Sequence, residues 1–262
     1  MQPIKNFTDE LKLYAFYDAL QEQLTQSAYD DMPFKERVCA LLQAESLSRQ
    51  NRRIAQLQKE AKLHEKTARF EEIDFSTSRG LHKPMLLDLF SNQYLQHNRN
   101  IILTGPTGTG KSYIAQALAN KAMIHGHSAL YLRVPRLMQL LSSARGDDEY
   151  LKTLAKLKRI KLLILDDFGV SPLKASEARD LLEIVEDRTN NSSLIITSQL
   201  PIQEWHSHLH NPTIADAILD RIVHNAYKIE LQGESQRKLK LKKKEEIEIG
   251  RASCRERVSS PV

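Results

Sequence analysis

The stretch "NIILTGPTGTGKSYIAQALANKAM", residues 100–123, joins three local patterns in a fixed order. An apolar run, "NIILT", reads as a buried strand. The next eight residues, Gly105 to Ser112, satisfy G-x-x-x-x-G-K-[ST]. A helical pattern follows, with Ile114, Leu118 and Met123 on one face. Strand, glycine-rich loop and helix in this order are what a phosphate-binding loop requires. Gly105, Gly108 and Gly110 let successive backbone N–H groups curl around phosphate oxygens, and the helix N-terminus adds its dipole. Lys111 is placed to reach the β and γ phosphates, and Ser112 offers its hydroxyl to magnesium. The whole loop, Pro106, Thr107 and Thr109 included, is therefore expected to hold ATP with Mg2+.

Outward from the loop, apolar runs alternate with helical patterns. Strands are expected at 100–104, 128–134, 161–167, 193–199 and 226–231. Runs rich in Ile, Leu and Val without polar alternation indicate a parallel sheet covered on both faces, an α/β fold. In "KLLILDDFG" (161–169) the third strand delivers Asp166 and Asp167 at its carboxyl end, where ligands bind in open α/β sheets. Asp166 is expected to hold magnesium and Asp167 to polarise the attacking water. The bland alternative is a pair of strand-end acids capping a helix or facing solvent. The fourth strand, "SSLIITSQLP" (192–201), ends in Thr197, Ser198 and Gln199. The Gln199 amide either orients that water or makes ordinary turn hydrogen bonds.

The 262 residues carry a net charge of +5, and the basic residues are clustered. One cluster, "SRQNRRIAQLQKEAKLHEKTAR" (48–69), contains Arg49, Arg52, Arg53, Lys59 and Lys62. A second, "SQRKLKLKKK" (235–244), contains Arg237. Such clusters mark either a polyanion partner or solvated helix faces. The first has few interleaved aromatics, which favours duplex backbone over stacked single strands. Upstream of the strands the pattern is helical: Leu13, Phe16, Tyr17, Leu20 and Leu24 share one face, and Phe34, Val38, Leu41 and Leu42 form another stripe. The expected division is a helical DNA-binding and assembly domain at 1–70, a linker and lead-in helix at 71–98, an ATPase domain at 99–244 and a tail at 245–262. The tail, "IGRASCRERVSSPV" from Ile249, has no apolar period and is a candidate non-native appendage. Cys39 and Cys254 form no metal or disulfide pattern, and Cys39 is expected in the core. With no apolar run of membrane-spanning length and no signal-peptide pattern, a cytoplasmic location is expected.

Together the loop, the Asp-Asp strand, "TSQLP" and "NPTIADAILDRIVHNAYKIELQGESQRK" (211–238) resemble the IstB transposition-helper ATPases. That family belongs to the AAA+ group with the helicase loader DnaC and the initiator DnaA. "LKLYAFYDALQEQL", "ERVCALLQAESLSRQNRR" and "IDFSTSRGL" extend the likeness over most of the chain. The resemblance implies a P-loop sheet with the loop strand between the 193–199 strand and the last strand. It makes Gln199 the sensor-1 residue, Arg221 the arginine finger acting on a neighbouring subunit and Arg237 the sensor-2 residue, with Arg188 of "VEDRTNN" a rival for the finger. It implies an ATPase that self-associates on duplex DNA and serves a partner transposase. A DnaC-like helicase loader is the alternative. A small-molecule P-loop kinase is a third reading, opposed by Asp167 and the basic clusters.

Overall fold

Uninterrupted Ile, Leu and Val runs demand burial on both faces. In the computed structural model, which describes residues 2–76, 79–209, 211–236 and 238, these runs form one parallel sheet of five strands. The strands are β1 (Asn100–Thr104), β2 (Ala129–Arg133), β3 (Leu162–Phe168), β4 (Ser193–Ser198) and β5 (Ala226–Glu230). Each begins and ends within one residue of the expected position. Their order is β2-β3-β4-β1-β5, so β1 lies between β4 and β5, with Ile101 opposite both Ile195 and Tyr227. The chain divides into two compact units, Met1–Lys59 and Glu60–Val262.

The first unit contains α1 (Gln2–Glu10), α2 (Tyr14–Thr25) and most of α3 (Phe34–Glu60). Its apolar stripes are less buried than their periodicity implied. Leu41 is buried, whereas Leu24, Phe34 and Leu42 are exposed, and so is Cys39. A unit this small has too little partner surface to cover the apolar stripes of α2 and α3 along their length. Its best-defined joint is polar. The buried Glu45 carboxylate accepts hydrogen bonds from the N–H groups of Ala15 (2.9 Å) and Phe16 (3.2 Å) at the start of α2, and pairs with Arg49 (2.7 Å) and Arg52 (3.4 Å).

The Arg49 hydrogen bond holds the Glu45 carboxyl below its ordinary value of 4.5, against the opposing cost of burial and with help from the Phe16 and Ala15 N–H groups. A carboxyl pKa lowered by folding contributes stability above its unfolded value and loses it as pH falls through the folded value. Glu45→Gln is therefore expected to cost about 1.5–3 kcal/mol at neutral pH, the range for hydrogen bonds to a charged group. The difference from wild type should shrink as the solution is acidified below the carboxylate range. Denaturant titrations of the full chain, followed by helical circular dichroism at several pH values, measure both effects; a constant difference across that range would show that the Glu45 charge is immaterial.

The second unit begins where α3 ends. Ala61, Leu63 and Ala68 are buried, and this segment is tied to the loop helix α6 (Lys111–Ile124). The Gln116 side-chain oxygen accepts from the N–H groups of His64 and Glu65, each at 2.8 Å, and the Asn120 amide donates to the Ala68 carbonyl at 3.1 Å. These residues accordingly belong to the compact unit that begins at Glu60. Within the stretch expected as a linker and lead-in helix lie α4 (Lys83–Phe90) and α5 (Gln93–Gln96), with Leu86, Leu89, Tyr94 and Leu95 buried. Helix α6 is buried nearly all round, Ala115, Ala119 and Ala122 as well as Ile114, Leu118 and Met123.

The rest of the unit comprises α7 (Val134–Gly146), α8 (Tyr150–Arg159), α9 (Ala175–Arg188), α10 (Trp205–His208) and α11 (Pro212–Val223). Leu137 and Leu141 of α7, Leu181 and Ile184 of α9, and Ile218 and Ile222 of α11 share one core with Leu163, Leu165 and Ile196 of the sheet. This core holds the strand ends in register, and the carboxyl ends of β1, β3 and β4 carry the candidate site.

Candidate functional site

Strand β1 hands the chain to the loop at Thr104, and the loop fits only if two positions lack side chains. A Cβ at Gly105, whose φ is +135°, would lie 2.1 Å from the Leu231 carbonyl oxygen. A Cβ at Gly108, at φ +85°, would lie 2.3 Å from the Ser235 hydroxyl oxygen. The segment after β5 thus packs directly on the loop, and the Gln236 N–H donates to the Gly108 carbonyl at 2.9 Å. Within the loop the Thr109 hydroxyl donates to the Pro106 carbonyl (2.8 Å). The Lys111 ammonium donates to the carbonyls of Gly105 (2.6 Å) and Pro106 (2.7 Å). Burial pulls the Lys111 pKa below its ordinary value, opposed by the nearby Asp166 and Asp167 carboxylates. Pro106 and Thr107 are exposed at the lip. Behind the loop the buried Arg79 guanidinium donates to the Thr109 carbonyl at 2.6 Å and to the Asp74 carbonyl.

Strand β3 brings the two acids to the mouth of this loop. Asp166 is buried, and its Oδ1 accepts from the Ser112 hydroxyl at 2.8 Å and from the Thr197 hydroxyl, while Oδ2 accepts from Tyr131. Two cis oxygens of an octahedron with metal–oxygen bonds of about 2.1 Å lie about 3 Å apart, so Ser112 and Asp166 are spaced to share a magnesium ion. Among the described residues no group of three His, Cys, Asp or Glu side chains forms a self-sufficient metal cage.

Asp167 is half-buried with φ +59°, at an irregularity in the β3–β4 pairing. Its N–H donates to the Thr197 hydroxyl (3.2 Å), and its Oδ2 pairs with Arg133 at 2.6 Å. Arg133 closes β2 opposite Asp166, and the pairing with Asp167 raises its pKa. Tyr131 and Arg133 beside the acids, and Arg79 behind the loop, were not singled out from the sequence. "ALYLR" places Tyr131 and Arg133 on one face of a strand, but only pairing with β3 turns that face toward the acids. Gln199 lies exposed just past β4, while Thr197, two residues earlier, touches both acids.

Arg221 sits elsewhere. Its carbonyl accepts from the side chain of Asn100, the first residue of β1, so it lies at the opposite end of the sheet from the loop of its own chain. Five residues at about 3.3 Å each put on the order of 15 Å between the two ends. Its guanidinium donates to the Ala217 carbonyl (2.8 Å) and pairs with Glu186 (2.9 Å). Arg188 has no such freedom. It is fully buried and donates to the carbonyls of Leu157 (2.7 Å), Ile160 (2.9 Å) and Ser193 (2.8 Å), and burial lowers its pKa to about 9. It fastens α8, α9 and β4 together and is removed as a rival finger. Arg237 lies outside the described residues. Of the basic candidates, Arg49, Arg52, Arg53 and Lys59 lie on α3, and Lys62 belongs to the second unit.

A family model described as IstB-like ATP binding protein matches residues 7–245. An insertion sequence ATP-binding protein of Sinorhizobium fredii is 42% identical over 220 residues, covering 84% of this chain and 89% of that protein. The crystal structure of DnaI aligns with a TM-score of 0.56 at 24% identity, over 63% of this chain and 92% of DnaI. The crystal structure of the DnaC helicase loader gives 0.50 at 17%, over 57% and 87%. At these identities the last two likenesses are of fold. Among the described residues no helix is long and apolar enough to cross a membrane.

Proposed function

This chain belongs to the IstB-like ATP-binding family, and from that premise we propose that it is a cytoplasmic ATP-hydrolysing helper of transposition. ATP-bound copies assemble on duplex DNA and present it to a partner transposase, and hydrolysis ends that state. The observation that carries the ATPase reading is the Ser112–Asp166 oxygen pair beside Lys111, with Asp167 one residue further along β3.

The loop N–H groups and Lys111 bind the phosphates, and Ser112 and Asp166 hold magnesium. When bound, that ion withdraws charge from the phosphate oxygens and fixes their geometry. Asp167 accepts the proton of the attacking water, Gln199 orients that water, and Thr197 holds the Asp166 carboxylate and the Asp167 backbone N–H. Arg221, remote from its own loop, serves the nucleotide of a neighbouring copy, and Arg237 serves its own. The S. fredii relative, named for an insertion sequence, supports transposition over helicase loading, since the likeness to the DnaC loader is of fold only.

The DNA surface in this reading is the basic face of α3. Arg49 and Arg52 share Glu45, and two guanidinium charges against one carboxylate leave one net positive charge. Replacing Arg49, Arg52 and Arg53 together with Gln is expected to weaken binding to unrelated duplexes alike, because interactions with phosphate carry no sequence information. The salt slope should fall by roughly 0.9 for each phosphate no longer neutralised. Nucleotide binding without DNA should be unchanged. Anisotropy titrations with and without ATP at several salt concentrations test this; binding that ignores ATP, shows no cooperativity and survives the triple substitution would refute both the assembly and its surface.

A further inference from the structure

Tyr131 closes a circuit of interactions around the metal side of the candidate site. Its hydroxyl takes Asp166 Oδ2, which leaves Oδ1 turned toward Ser112 and Thr197. The tyrosine is itself anchored twice. Its N–H donates to the Ala61 carbonyl at 2.9 Å, and its ring meets the His64 ring edge-on, with centroids 5.1 Å apart and planes at 89°. The His64 N–H donates to the Gln116 side-chain oxygen (2.8 Å), and the Gln116 amide donates back to the Ser112 carbonyl (3.2 Å). Ser112, Gln116, His64, Tyr131 and Asp166 thus form a ring that returns to Ser112.

We propose that Tyr131 is a positioning residue for the magnesium-binding carboxylate, and that the segment Ala61–Glu65, which continues from the basic helix α3, is built into the same support. The inference rests on the nucleotide-site reading above. A carboxylate can rotate about its own axis unless both oxygens are held. Tyr131 supplies the partner on the side away from Ser112, so one oxygen alone faces the metal position. Groups that orient a metal ligand in this way are typically worth 10–100-fold in metal affinity. The segment 61–65 bears on the carboxylate through the tyrosine ring and backbone, so a shift in this segment would be felt at Asp166.

The test is the binding of a fluorescent ATP analogue to the full chain, titrated with Mg2+ and repeated in EDTA. Tyr131→Phe keeps the ring and the backbone hydrogen bond and removes only the hydroxyl. It should raise the Mg2+ concentration that half-maximally tightens binding about tenfold and leave the affinity in EDTA within about twofold of wild type. His64→Ala should shift the Mg2+ requirement in the same direction by less. A Tyr131→Phe protein with wild-type Mg2+ dependence overturns the proposal, as does equal weakening in Mg2+ and EDTA, which would indicate damage to the fold alone. A His64→Ala protein indistinguishable from wild type overturns the part assigned to the 61–65 segment. Failure of the wild-type chain to bind the analogue under either condition would instead overturn the nucleotide-site reading itself.

Discussion

Arg221→Ala protein is expected to bind ATP with unchanged affinity and to hydrolyse it about 10³- to 10⁵-fold more slowly, the range found for arginines acting on a neighbour's phosphate. The expectation follows from where α11 leaves this side chain: at the start of β1, a full strand length from the loop of its own chain, with Glu186 as an exposed partner it can exchange. Guanidinium is suited to the task because it stays protonated and presents a planar fork to phosphate oxygens. Mixing with Lys111→Ala protein should recover activity. One kind of mixed junction then combines an intact loop from the Arg221→Ala copy with an intact arginine from the other. If mixed oligomers form and hydrolysis stays at the level of the separate variants, Arg221 does not act across a junction. Arg188 could not take its place, because it is fully buried and both its terminal nitrogens are bonded to carbonyls inside the second unit.

The second large effect is expected at Asp167. Asp167→Asn should retain nucleotide and magnesium binding, since Ser112 and Asp166 are untouched, and should lose about 10²- to 10⁴-fold in hydrolysis with removal of the proton acceptor. Lys111→Ala should do the converse and weaken nucleotide binding itself. The structure sharpens this contrast: Asp166 is enclosed by three hydroxyls, whereas Asp167 is half-buried and aimed by its ion pair with Arg133. Single-turnover hydrolysis at saturating ATP, with direct binding titrations of both variants, separates the two roles. Equal loss of nucleotide affinity in the two proteins would refute the assignment.

Much of this was legible in the residues alone because it is local. An uninterrupted run such as "LLIL" can be satisfied only by burial on both faces, so the strands and the α/β class follow from composition and spacing. The loop is equally local: eight consecutive residues, 105–112, carry the glycine conformations, the lysine and the hydroxyl. The family resemblance supplied the position of β1 between its neighbours, and the sheet order agrees.

What depends on residues far apart in the chain was decided by the tertiary structure. Arg188 and Arg221 look alike in sequence, two basic residues late in amphipathic helices. One is buried because carbonyls from the end of α8 and the start of β4 converge on it, and the other remains at the surface. Phe34 belongs to an apolar stripe and Cys39 has the character of a core residue, yet both lie exposed on α3. Residues 61–69 continue a basic helical run in sequence but pack with the sheet unit, because Gln116 and Asn120 of α6 satisfy their backbone. Tyr131 and Arg133 carry no local mark of function. Parallel pairing of β2 with β3 sets Arg133 opposite Asp166 and brings both side chains to the acids, since a hydrogen-bonded register between distant strands fixes which side chains meet and no local pattern encodes it.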